Sequence, residues 1–397
     1  MEILLQYHDQ VLQGITNDYR RFLHEKIDWK DRMIGVKGPR GSGKTTLLLQ
    51  HLKYDLGDDF KKALYITADH TWFYNNTLLE TAMLWYQRGG RYLFIDEVHK
   101  YARWSRELKN IYDGFPNLKI VFSSSSALDI YRGEADLSRR VISYELPGLS
   151  FREYLAFTGY GKWEAIPFKT LVKDHVEIAH SFLEKGPFIP VFKTYLKYGY
   201  LPIIAEGESG YFTKLEQVIN TILDTDLAFI ASYNSGTSAK VKKILGVIAE
   251  SVPFKPNISN LSRKLDVSRE LIYESIQQLR DARLINLLHA KGQGISQLQK
   301  PEKIFLENTN LAYVFNTHPN TGNLRETFVL NQLLNSGLEV LSPDKGDFWA
   351  EDLYLEVGGA SKTASQVKMV TNHLVLSDDI ETGIGQKVPI WLFGFLY

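Results

Sequence analysis

Gly38-Pro39-Arg40-Gly41-Ser42-Gly43-Lys44-Thr45 is the stretch whose reading decides the fold. It lies between an apolar strand candidate, Met33 to Val36, and a helical pattern from Thr46 to Leu52. Glycines at these spacings let a loop turn successive N–H groups inward, and the following helix presents its positive end to the same point. Both features select an anion, and the flanking strand and helix separate a phosphate-binding loop from a chance pattern. In this reading Gly38, Pro39, Arg40, Gly41, Ser42, Gly43, Lys44, Thr45 and Thr46 enclose a nucleotide. Lys44 meets the β and γ phosphates and Thr45 holds Mg²⁺, so ATP and Mg²⁺ are the expected ligands.

A second strand candidate, Arg91 to Glu97, is apolar and ends in the adjacent carboxylates Asp96 and Glu97. Asp96 at the strand tip is expected to bind Mg²⁺ through water, with Glu97 as the base that orients and deprotonates the attacking water. An exposed acidic pair in a turn is the alternative; the buried-strand pattern before it argues against that. Lys62 to Thr67 reads as a strand between the two motifs. The expected architecture is therefore α/β, with the parallel sheet of an additional-strand P-loop ATPase.

Lys119 to Phe122 is one more strand, ending in Ser123-Ser124-Ser125-Ser126. Ser123, with Ser124 as the other choice, is the candidate polar residue facing the γ-phosphate or the attacking water. The remaining serines read as a cap on a helix at Ala127 to Tyr131. Leu137-Ser138-Arg139-Arg140 precedes a last short strand, Val141 to Tyr144. Arg140, or Arg139, is placed to reach a γ-phosphate in its own or a neighbouring subunit. Solvated surface charge is the other reading.

The chain has 397 residues, 44% of them hydrophobic and 23% charged, which allows several domains with their own cores. Its formal net charge is zero, so no global field draws it to nucleic acid or a membrane surface. It has no cysteine, which excludes disulfides, thiolate metal sites and a cysteine nucleophile. Val388 to Tyr397 is too short an apolar run to span a bilayer. A cytoplasmic location with no membrane contact is the expectation.

Changes of pattern suggest four segments: an ATPase core over 1–147, a helical lid over 148–235, a winged helix over 236–318, and a small α/β domain over 319–397. Ser150 and Glu153 have the spacing of a capping box at the start of the lid. Its aromatics, Phe188 to Phe192 and Tyr195 to Tyr200, read as core. In the third segment, helices at Ala239 to Ser251, Ile258 to Leu265 and Arg269 to Ala282 precede a strand at Leu284 to Ala290 and a glycine-bearing wing at Lys291 to Gly294. Glu270, Glu274 and Asp281 dilute the basic character of the last helix, so a nucleic-acid partner has weak support and a protein partner is preferred.

The last segment carries a second constellation. Glu326 lies on a helix at Leu324 to Leu334, Asp347 follows a strand expected at Leu338 to Leu341, and Glu356 precedes Lys362 in LEVGGASK. Three carboxylates and a lysine are the parts of a metal-dependent phosphodiesterase. A strand puts alternate residues on one face, so a lysine serving Glu356 belongs at position 358, where Gly358 stands. Lys362 is its candidate substitute, from the start of the next helix, and a retained fold with a degenerate site is the preferred reading.

The order GPRGSGKTT, YLFIDEVHK, VFSSSS, LSRR and LSFREYL resembles AAA-type (AAA+) ATPases of bacteria and archaea that carry a C-terminal domain of uncharacterised function similar to restriction-endonuclease folds. The resemblance implies an AAA+ core, a helical lid, a winged helix and a nuclease-like end. It implies ATPase roles for Lys44, Thr45, Asp96 and Glu97, and nuclease-like roles for Glu326, Asp347, Glu356 and Lys362. The preferred function is ATP hydrolysis that drives conformational change of the C-terminal domains, with oligomer formation open. An ATP-gated, Mg²⁺-dependent nuclease of mobile-element or defence type and a slow-turnover switch or scaffold for a protein partner are the alternatives.

Overall fold

The computed structural model describes residues 1–124, 137, 139–228, 234–292, 300–363, 370 and 372–397. The helix expected at Ala127 to Tyr131, Ser125 and Ser126, Ser138 and the tip of the expected wing lie outside the described residues. The chain forms two compact units, Met1–Gly148 and Leu149–Tyr397.

Unit one is built on five strands: β1 (Met33–Lys37), β2 (Ala63–Thr67), β3 (Tyr92–Asp96), β4 (Lys119–Ser124) and β5 (Ile142–Glu145). Their order across the sheet is β2-β3-β4-β1-β5, and every pairing is parallel. Helices α1 (Glu2–Gln13), α2 (Leu23–Lys26), α3 (Lys44–Tyr54), α4 (Leu78–Gln87) and α5 (Trp104–Gly114) accompany it. Strands covered on both faces read as unbroken apolar runs, because both sets of side chains are buried. Ile34, Val36, Tyr65, Phe94 and Val121 pack with Leu47 and Leu48 of α3. Met33, Leu64, Ile66, Leu93 and Ile120 belong to a second core with Leu108 and Ile111 of α5. Strand β4 lies between β1 and β3, so the glycine loop after β1 and the acidic pair after β3 flank the serine tip of β4. Ligands of open α/β sheets bind in the crevice outside such carboxyl ends.

In unit two, helices occupy Phe151–Phe157, Phe168–Leu183, Phe188–Tyr198 and Tyr211–Thr221. The first begins with the Ser150–Glu153 capping box that its sequence announces. Helices Ser235–Glu250, Ile258–Leu265 and Arg269–Asp281 lead into an antiparallel hairpin of β6 (Ile285–Leu288) and β7 (Lys303–Leu306). Asp266, in the left-handed conformation at φ 51°, makes the tight turn before the last of these helices. After helices Thr309–Phe315 and Thr321–Asn335 comes a four-stranded sheet in the order β11-β10-β9-β8. Its members are β8 (Phe348–Ala350), β9 (Leu353–Gly358), β10 (His373–Ser377) and β11 (Lys387–Pro389), and only β8 runs antiparallel to its neighbour.

Two sequence expectations change here. Leu338 to Leu341 is not a strand: Leu341 makes a single bridge to Trp349, while Ser342 bonds to His289 and Lys291. Its backbone groups divide between two partners, so neither ladder extends. The aromatic core of the expected lid is also shared with the end of the chain. Phe151 packs on Phe192 and Phe395, Phe188 stacks on Trp391 at 4.7 Å, and Ser150 Oγ donates to the Tyr397 carbonyl at 2.8 Å.

Candidate nucleotide site and carboxylate cluster

The loop from Gly38 to Gly43 connects β1 to α3 with Gly41 at φ 83° and Gly43 at φ 91°. Both angles favour glycine, since a Cβ would be strained there. At Gly38 a Cβ would lie 2.1 Å from the Leu146 carbonyl oxygen, so the loop packs directly on the backbone beyond β5. Lys44 is buried and its Nζ donates to the carbonyls of Gly38 at 2.9 Å and Pro39 at 3.0 Å. The charge is thus held inside the loop. Ser42 is fully buried and its Oγ has no hydrogen-bond partner. An orphaned buried hydroxyl in a loop of inward-facing amides fits a phosphate oxygen, which would satisfy it. Arg21, which the sequence did not flag, is also buried; it donates to the Ser42 carbonyl and to the carbonyls of Pro147 at 2.8 Å and Gly148 at 3.0 Å. Arg40 is half-buried and Thr46 exposed on the first turn of α3.

Asp96 collects four donors at the tip of β3. Thr45 Oγ1 lies 2.6 Å and Tyr65 Oη 2.8 Å from its Oδ2, while Ser123 Oγ and the Glu97 N–H, at 3.2 Å, reach Oδ1. The adjacent oxygens of Thr45 and Asp96 fit the donor set of a hard cation such as Mg²⁺. Tyr65 is the member sequence reasoning missed: apolar neighbours hide it in β2, and only the β2–β3 pairing brings its hydroxyl to Asp96. Burial, then the charge of Asp96, pushes its phenol well above the usual range, so it remains a donor. Ser123 and Ser124 face different partners: Ser123 Oγ accepts from the Glu97 N–H at 3.2 Å, and Ser124 Oγ lies 3.3 Å from His99 Nδ1.

Glu97 has φ 53°, an uncommon conformation for a residue with a side chain and one that clusters at functional sites. Its Oε2 lies 3.4 Å from His99 Nε2 and 3.9 Å from Arg40 Nη1. His99 is 1% exposed, so a buried imidazole connects the β4 tip to the candidate base. Arg140 is engaged elsewhere, its guanidinium bound at both 2.9 Å contacts to Asp113 at the end of α5. Arg139 is exposed at φ 76°.

In unit two the structure brings the other four candidates into one neighbourhood. Glu356 on β9 is fully buried, and Lys362 Nζ lies 3.1 Å from its Oε1. A Cβ on Gly358 would meet Lys362 Cγ at 2.5 Å and Cδ at 2.6 Å, so the glycine is the space through which the lysine returns. Asp347, just before β8, accepts the Val357 N–H at 2.7 Å. Burial first, and then the charge of Asp347, pushes Glu326 up to about 7, against the pull of Lys303 and Lys362. Burial also raises Asp347, opposed by the Val357 amide and the same two lysines. Lys303, on β7, is a neighbour that sequence spacing did not suggest. Apart from the Lys362 ion pair, the oxygens of Glu356 have no polar partner, and Oε2 of Glu326 has no hydrogen-bond partner. Even so, among the described residues the one trio of His, Asp or Glu whose ligand atoms all lie within 4.8 Å of one another is His24, His51 and Asp55. Glu326, Asp347 and Glu356 do not close that far.

On the Arg269–Asp281 helix, Arg280 is paired with Asp281 at 2.7 Å, which leaves a mixed face rather than a basic one. No helix among the described residues is long and apolar enough to cross a membrane.

The sequence profile of the AAA domain family matches residues 30–155, which include β1, both acidic residues and the serine tip. Among solved structures, the chain is similar to S. cerevisiae Hsp104 with ADP at 15% identity and TM-score 0.32, covering 70% of this chain and 41% of that one. AMPPCP-bound DnaA from Aquifex aeolicus gives 14% identity, coverages of 68% and 90%, and TM-score 0.26. A katanin structure concerned with self-assembly gives 15% identity, coverages of 32% and 44%, and TM-score 0.24. The chain thus spans less than half the length of the Hsp104 and katanin chains it matches. No curated protein matches it.

Proposed function

We propose that this chain, whose residues 30–155 form an AAA-type P-loop ATPase domain, hydrolyses ATP there and uses the nucleotide cycle to change the conformation of its second unit. The observation that carries the reading is the convergence of Lys44, Thr45, Asp96, Glu97 and Ser123 at the carboxyl ends of β1, β3 and β4. Loop amides from Gly41 to Lys44, with the Ser42 hydroxyl, receive the phosphates. Lys44 exchanges two backbone carbonyls for phosphate oxygens, a charge-assisted contact. Thr45 and Asp96 would hold Mg²⁺, which supplies charge neutralisation on the phosphates when bound. Ser123 fixes the backbone of Glu97 and one oxygen of Asp96. Glu97 takes the proton of the attacking water, for which it must turn from Arg40 and His99.

The test is a pair of variants. Lys44→Ala is expected to weaken ATP binding, and Glu97→Gln to bind ATP and retain it unhydrolysed. Undiminished hydrolysis in Glu97→Gln would overturn the assignment of the base.

The orientation of Glu97 also supports the slow-turnover switch, since a base held at His99 and Arg40 must be released before each hydrolysis. In that reading the nucleotide-bound form recognises a protein partner, and turnover stays slow until the partner binds. For the nuclease alternative, the approach of Lys362 to Glu356 is the favourable observation. The open spacing of the three carboxylates weighs against it, so we assign the cluster no phosphodiesterase activity.

A further inference from the structure

We propose that His24, His51 and Asp55 form a transition-metal site, with Zn²⁺ as the natural occupant, independent of the nucleotide site. The three residues come from α2, the last turn of α3 and the position just after it. His24 Nε2 lies 2.8 Å and His51 Nδ1 3.2 Å from the same oxygen, Asp55 Oδ2. Two imidazoles and one carboxylate suit Zn²⁺ and leave a fourth position for water, whereas Mg²⁺ and Ca²⁺ prefer all-oxygen shells. Both histidines are buried. Trp29 stacks on His51 at 3.7 Å and 8°, and its Nε1 donates to the His24 carbonyl at 2.9 Å, fixing both ligands.

The surroundings of His24 already hold a cation. Its Nε2 lies between Asp55 Oδ2 and Arg20 Nη1, the latter at 3.1 Å. With Nε2 protonated, His24 donates to Asp55 Oδ2 while Arg20 Nη1 donates to both Asp55 oxygens, so the guanidinium neutralises the carboxylate where a metal ion would do so. A metal ion accepts the lone pairs of His24, His51 and Asp55 together. Arg20 also contacts Asp55 at 3.0 and 3.1 Å, and is the cation that must leave. Its side chain is 27% exposed, so it can swing into solvent. The bound ion would tie the end of α3, the helix that starts at the phosphate loop, to α2.

The experiment uses the full chain without added histidine tags, titrated with Zn²⁺ alone by calorimetry and with Co²⁺ by visible absorption and tryptophan quenching. One equivalent is expected to bind with a dissociation constant of about 10 µM or tighter. His24→Gln and His51→Gln, which keep side-chain volume, should each weaken binding at least about tenfold, and Arg20→Gln should tighten it by a similar factor. Trp29→Phe should remove most of the Co²⁺ quenching. Asp96→Asn and Glu356→Gln should leave the stoichiometry unchanged, which separates this site from the other two acidic clusters. Retained binding in the His24→Gln/His51→Gln double variant would overturn the proposal. So would no binding at about 1 mM Zn²⁺, and so would binding confined to Arg20→Gln, because Arg20 would then be the resident cation.

Discussion

Replacing Ser42 by alanine should move stability and affinity in opposite directions. The hydroxyl is fully buried with no partner, whereas the Ser42 carbonyl is held by Arg21 and would remain so. An unsatisfied buried polar group costs about 1–3 kcal/mol, and part of that returns as the small void left by the oxygen, so Ser42→Ala should stabilise the nucleotide-free protein by about 1 kcal/mol. In a unit of this size that corresponds to a rise of about 2–4 °C in melting temperature. With nucleotide, the same oxygen is expected to donate to a charged phosphate. Bonds of that kind contribute about 1.5–3 kcal/mol, so the variant should bind ATP about 10- to 150-fold more weakly. Scanning calorimetry of the nucleotide-free protein and titration calorimetry with ATP read the two effects separately. A variant that melts lower and binds ATP unchanged would show that Ser42 is a packing residue, and the phosphate reading of the loop would lose its orphan.

Tyr65→Phe should slow hydrolysis with little change in ATP affinity, because Asp96 retains its Thr45 and Ser123 donors but loses one of the two donors to Oδ2; equal losses in both would place Tyr65 in nucleotide binding itself. Arg140→Ala should leave hydrolysis nearly unchanged, given its pairing with Asp113; a rate that rises with protein concentration, with rescue by mixing Arg140→Ala and Lys44→Ala chains, would restore its role as a finger acting on a neighbour. Glu326 titrates near 7 in the folded chain and near 4.5 unfolded, so between these values the folded state binds more protons and stability falls as pH rises. Glu326→Gln should flatten that fall, by roughly 1 kcal/mol or more for this partly buried group, and denaturant melts from pH 4.5 to 8 would reveal an unchanged slope if the assignment is mistaken. Plasmid, linear and single-stranded DNA and RNA should survive incubation with the protein, Mg²⁺ or Mn²⁺ and ATP; robust cleavage lost in both Asp347→Ala and Lys362→Ala would establish the nuclease alternative.

The parallel-sheet core of unit one was legible because its signals are local. Loop glycines, an apolar strand and a terminal acidic pair sit within a few residues of one another, so β1, β3 and their tips follow from the chain alone. Tyr65, Arg21 and His99 were not legible, since each acts through a partner far away in sequence or through a strand pairing. A tyrosine in an apolar run looks like core, and Tyr65 is core over its ring while its hydroxyl serves Asp96. Leu338 to Leu341 has the composition of a strand yet finds two half-partners instead of one whole one.

Gly358 shows how a correct rule can mislead. Alternation along β9 does require a lysine at that position if the side chain is to rise straight from the strand beside Glu356. The structure reaches a similar end by another path: the chain turns after Gly359, and Lys362 sends its stem back over Gly358 to within 3.1 Å of Glu356. Glycine is then required by the space it leaves, since even a methyl group would displace the lysine stem. Proximity alone does not restore the chemistry. Lys362 approaches along a turn rather than a strand, and it lies against one oxygen of a carboxylate that is buried and otherwise unpartnered. Displacing a catalytic group by about 1 Å can already cost roughly a hundredfold in rate. The Lys362–Glu356 pair therefore serves first to neutralise a buried charge, which is why loss of Lys362 alone should destabilise unit two while loss of both partners, as Glu356→Gln with Lys362→Met, should recover much of that stability.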